Sequence, residues 1–81
     1  MPKATQREKL HSSILRTFRD ERIRKGLSMN VLSQRAGLNQ SAISLIERGL
    51  RSPNLETLIR LSEALGVDLW QIIKDASSDA E

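Results

Sequence analysis

The chain has 81 residues, 38% of them hydrophobic, with a formal net charge of +3 and no cysteine. That length makes one small domain, and without cysteine neither disulfides nor Cys-based zinc sites can hold it together. A single histidine, no Gly-rich phosphate loop and no paired carboxylates in an apolar setting argue against an enzyme, and no metal or cofactor is expected.

No apolar run approaches a signal-peptide core or a membrane span, so the default expectation is a soluble intracellular protein. Phe18 and Trp70 are the only aromatic residues, so the core must be aliphatic and modest. The charge is unevenly placed, with residues 1–51 carrying +7 and residues 52–81 carrying −4. A basic half of this kind suits phosphate contacts, although a solvated surface accounts equally for most single Lys and Arg residues.

Residues 1–7 are polar, basic and without periodicity, and are expected to form a disordered arm. A helix is predicted from about Glu8 to Lys25, with Leu10, Ile14, Leu15 and Phe18 as its apolar stripe. Arg22 continues that stripe and places a charge on the inward edge. Gly26 ends the helix, and Arg24 and Lys25 in its last turn complement the dipole. His11 has no second ligand at a metal-site spacing and reads as a surface residue.

Ser28 then caps a second short helix over residues 29–36, and Gly37 and Leu38 lead to Asn39. Asn39 caps a third helix that stops at Gly49. On a helical wheel Ala42, Ile43 and Ile46 share one side, while Gln40, Ser41, Ser44, Leu45 and Arg48 share the other. The second side carries amide, hydroxyl, methyl-bearing and guanidinium groups and no carboxylate. Two short helices joined by a tight Gly-containing turn form the helix-turn-helix arrangement, whose second helix enters the major groove. A helical hairpin inside another all-α domain fits these residues about as well.

Asn54 caps a fourth helix, on which Leu55, Leu58, Leu61, Ser62 and Leu65 are predicted to face inward and which Gly66 ends. Asp68 caps a last short helix with Leu69, Ile72 and Ile73 inward. Residues 75–81 are small and acidic and are expected to be a disordered tail. No strand-like alternation occurs. The expected fold is all-α, with five helices, a folded domain over residues 8–74 and no internal repeat.

Arg22, Lys25-Gly26-Leu27-Ser28, Ala36-Gly37-Leu38, Ile43-Ser44-Leu45-Ile46-Glu47-Arg48-Gly49, Ser52-Pro53 and Ala64-Leu65-Gly66-Val67 together resemble the Cro/phage-repressor helix-turn-helix family, also called the xenobiotic-response-element family. The resemblance spans about residues 14–73, and its most specific tract is Ile46-Glu47-Arg48-Gly49 followed by Ser52-Pro53. It implies a lambda-repressor-like five-helix domain of bacterial or phage origin. Such a domain binds double-stranded DNA, usually as a homodimer on a palindromic operator, and regulates transcription.

Residue by residue, the resemblance puts Gln40, Ser41, Ser44 and Leu45 at base-reading positions. Gln suits adenine, and Leu45 suits a thymine methyl. It puts Ser28, Asn39, Arg48 and Arg51 at positions that hold the DNA backbone, and the basic charge of Arg35 adds to them. Arg22 and Glu47 match a partly buried structural ion pair.

The chain departs from the family at Met29, where Gln is common, and at Val31, usually polar; both read as exposed apolar residues. Ser33 and Ser62 stand where Ala is usual, and their hydroxyls can bond back to their own helix. Ile59 and Trp70 are the expected homodimer seam. The alternative is an antitoxin-like module that uses the same residues to bind a toxin. The chain ends soon after the helix-turn-helix domain, so the expectation is a stand-alone regulator, either a phage-like repressor fragment or a protein resembling the controller proteins of restriction–modification systems.

Overall fold

A computed structural model describes residues 4–80, with side chains as far as Ser78. The described residues form five helices and no strand: α1 (Gln6–Arg24), α2 (Met29–Ala36), α3 (Gln40–Glu47), α4 (Leu55–Leu65) and α5 (Leu69–Ala80). Each start follows from a polar side chain that takes an otherwise orphaned N–H of the first turn. Ser28 accepts from Val31 N–H at 3.1 Å, Asn39 from Ala42 N–H at 2.8 Å, and Asn54 from Thr57 N–H at 2.8 Å. The Asp68 carboxylate accepts from Trp70 N–H at 3.0 Å.

Both expected disordered ends are corrected in part. Residues 1–3 and 81 lie outside the described residues, but Thr5 caps α1 and Gln6 and Arg7 form its first turn. The reason is a capping box. Thr5 Oγ1 accepts from Glu8 N–H at 3.1 Å, and Thr5 N–H donates to the Glu8 carboxylate at 3.4 Å. At the other end α5 continues through residues 75–80. Ala76 is fully buried there, and α5 makes its most extensive packing against α1. A tail polar on one face is held in the helix by the other.

Phe18, Leu32, Ala36, Ile43, Leu61, Leu65 and Ile72 form one contiguous buried cluster drawn from all five helices. Met29 packs against it, and Val31 is half-buried, so neither is the exposed residue expected from the sequence. Leu55 is corrected in the opposite sense. It is 63% exposed, one turn before the 44% exposed Ile59, and the two share an outward stripe of α4. Ser33 and Ser62 are buried as the small-residue reading requires. Their hydroxyls donate to the Asn30 carbonyl at 2.7 Å and the Leu58 carbonyl at 2.8 Å.

The turn that sets α3 against α2 depends on Gly37, whose φ is +69°. There the Leu38 N–H reaches back to the Ser33 carbonyl at 2.9 Å, closing the end of α2. Arg60 of α4 donates to the Ala36 carbonyl at 3.4 Å, and a Cβ on Gly37 would stand 2.9 Å from the same guanidinium. Gly37→Ala is therefore expected to cost about 1–2 kcal/mol from its backbone conformation. Displacing Arg60 should add up to about 1 kcal/mol. Gly26 has a φ of +68° with nothing near its Cβ position, so Gly26→Ala should carry the backbone cost alone. Urea unfolding of both variants measures the difference.

Candidate nucleic-acid interface

α3 owes its orientation to two opposite demands. Ala42, Ile43 and Ile46 are buried, which turns the polar side of the same helix outward. Gln40 and Ser41 are exposed at its start, and Ser44 and Leu45 are half-buried one turn on. These four therefore sit together on the open side of α3, where a recognition helix meets base edges.

The backbone-holding candidates are distributed around that helix. Asn39 spends its carbonyl oxygen on the cap, which leaves its amide free to donate outward. Ser28 likewise accepts inside α2 and retains its hydroxyl proton. Asn39 and Arg51 both line a hollow of about 330 Å³ between the turn after α2 and the loop that precedes α4. Arg48, the exposed C-cap of α3, lies on the α1 side instead. Arg35 is exposed in the last turn of α2 and lines neither depression. The structure thus brings Asn39 and Arg51 to one hollow and Arg48 to another, while Ser28 and Arg35 stand exposed at the two ends of α2.

Glu47 is the only acid between residues 28 and 51, and Arg22 removes it from the surface. Arg22 Nε donates to Glu47 Oε2 at 2.6 Å and Nη2 to Oε1 at 2.9 Å, a bidentate pair with side chains 12% and 6% exposed. Arg22 Nη1 also donates to the Leu27 carbonyl at 2.8 Å, so one guanidinium ties α1 to α3 and to the α1–α2 loop. The hydrogen bond to Glu47, ahead of its charge, holds the Arg22 pKa above its ordinary value against the opposing effect of burial. A raised folded-state value means that this stabilisation is complete throughout the neutral range. On the alkaline side it is lost as pH climbs through that value.

Sequence reasoning missed two features around the interface. His11, exposed on α1, has its Nε2 3.0 Å from the hydroxyl of Ser52 in the loop before α4. Nothing in local sequence signals a contact across 41 positions. Leu55 is the second, an exposed neighbour of Ile59 that its i, i+4 spacing could have revealed. Trp70 is 64% exposed, with the Lys74 ammonium 5.0 Å from its ring centroid. No helix among the described residues is long and apolar enough to cross a membrane.

Comparison with known proteins places this geometry. A family model described as helix-turn-helix matches residues 18–69. The uncharacterized HTH-type transcriptional regulator y4dJ of Sinorhizobium fredii is 39% identical over 49 residues, covering 60% of this chain and 64% of that protein. The cryptic phage CTXphi transcriptional repressor RstR of Vibrio cholerae is 25% identical over 64 residues, covering 79% of this chain and 58% of that protein. The chain thus spans about three-fifths of the length of the curated relatives it matches. Among solved structures, the restriction-modification controller protein C.AhdI from Aeromonas hydrophila is 30% identical with a TM-score of 0.71. That match covers 78% of this chain and 94% of that one. With the turn between α2 and α3 and a family model matched over most of the chain, the chain belongs to the helix-turn-helix family; the relatives named above are transcriptional regulators and a restriction-modification controller protein, not enzymes.

Proposed function

We propose that this protein reads a palindromic operator in double-stranded DNA as a homodimer, with α3 in the major groove, and so regulates transcription. One observation carries the reading. The open side of α3 offers Gln40, Ser41, Ser44 and Leu45, while the only nearby carboxylate has both oxygens bonded to Arg22. A surface that donates and accepts hydrogen bonds without an unpaired anion suits base edges flanked by phosphates. Asn39, Ser28, Arg48, Arg51 and Arg35 hold the DNA backbone in this reading. Similarity to C.AhdI supports a small bacterial or phage regulator acting in the cytoplasm. Selection of bound sites from a random duplex library tests it: one enriched palindromic motif is expected, and an unenriched library overturns the reading.

We assign the homodimer seam to Trp70 and Ile59 and extend it to Leu55, a reading supported by the exposure of these large apolar side chains on α4 and α5. Two α3 helices must then lie about 34 Å apart to enter successive major grooves. Trp70→Ala is expected to leave a folded, helical monomer that binds single half-sites weakly, since seams of this kind are anchored by their aromatic residues. Sedimentation should give twice the 9.1 kDa chain mass for the unaltered protein. A monomer at tens of micromolar would pass that surface to an unrelated partner, as in an antitoxin.

A further inference from the structure

A groove of about 310 Å³ runs between the middle of α1 and the end of α3. Arg16 and Arg19 of α1 and Arg48 of α3 line it, all three exposed. Among the described residues none of these guanidiniums is in an ion pair; those formed by arginine belong to Arg22, Arg24 and Arg60. Glu47 is the one acid at the groove, and Arg22 already holds both of its oxygens. Three positive charges thus converge without a counter-charge, an arrangement that repels itself until an anion enters.

Two connections identify the anion. Arg48 lies on the same side of α3 as Gln40, Ser44 and Ser41, so the groove continues the base-reading face. At the other end His11, which also lines the groove, is bonded to Ser52 beside Arg51. Planar guanidinium forks match phosphate oxygens two at a time. We propose that α1 is itself a DNA-contacting element, with Arg16 and Arg19 joining Arg48 to seat backbone phosphates flanking the segment read by α3. The proposal rests on the DNA-binding reading above, and it widens the footprint on one side of each half-site.

The test is a titration of a random-sequence duplex with the full chain at several salt concentrations. Arg16→Ala/Arg19→Ala is compared with the unaltered protein, and Arg24→Ala, which removes an arginine paired with Glu21 away from the groove, serves as the charge control. The double variant is expected to show a log-affinity against log-salt slope shallower by about two units. It should lose the same factor on operator and scrambled duplexes, with an unchanged melting curve. Arg24→Ala should leave the slope near that of the unaltered protein. If the unaltered protein binds with a steep slope and the double variant matches it, the α1 seat is wrong while the DNA reading stands. An equal change in Arg24→Ala would also overturn the seat, as it would mean that net charge alone is felt. Absence of DNA binding by the unaltered protein overturns both.

Discussion

Glu47→Ala is expected to lower stability by about 3 kcal/mol, the lower end for a buried pair, because it leaves the part-buried Arg22 guanidinium without its counter-charge. For a domain of this size that is a fall in melting temperature of about 12 °C or more. The loss reaches three elements at once, since Arg22 joins α1, the Leu27 carbonyl and the end of α3. Replacing both partners together by apolar residues should recover much of the loss, as no buried charge then remains. DNA binding by Glu47→Ala should fall only in proportion to unfolded protein. Thermal unfolding and a DNA titration at low temperature separate the effects. An unaltered melting temperature with lost binding would show that Glu47 acts at the DNA directly.

Gln40→Ala is expected to cost roughly 1–3 kcal/mol per half-site on the preferred operator. Gln40 is exposed in the first turn of α3, one residue past the Asn39 cap, and its amide presents a donor and an acceptor side by side. Adenine offers the complementary N7 and N6 in the major groove, and a methyl group on that helix can satisfy neither. On scrambled duplex the same change should cost almost nothing, because phosphate contacts supply non-specific binding. Ser41 and Ser44 should show smaller losses, as a hydroxyl discriminates less among bases. Paired titrations on operator and scrambled duplexes measure the difference. Equal losses on both would make Gln40 a backbone contact and pass base reading to its neighbours.

Much of this molecule follows from short-range rules that the chain carries in plain view. Ser28, Asn39, Asn54 and Asp68 mark helix starts because a side-chain oxygen two or three residues from an orphan N–H can always reach it. Gly37 and Gly66 mark ends because the left-handed conformation is costly for any residue with a Cβ. The open side of α3 was equally legible, since Ala42, Ile43 and Ile46 at helical spacing can bury only one face. Thr5 and Glu8, three residues apart, carry a readable capping box as well, set among basic residues.

Other features exist only once helices pack. Leu55 and Leu58 are alike in the sequence, but α2 covers α4 on one side, so one is half-buried while the other stands in solvent. Residues 75–78 have the composition of a frayed tail, and only the surface of α1 turns Ala76 inward and keeps α5 continuous. His11 and Ser52, or Arg16, Arg19 and Arg48, share no sequence spacing that announces them. The crossing of α1 over the end of α3 brings them together. Local sequence determined where the capped helices α2 to α5 begin and where α2 and α4 stop at glycine. Tertiary packing decided which leftover polar and charged groups became neighbours, because that depends on helix crossing, which no single helix contains.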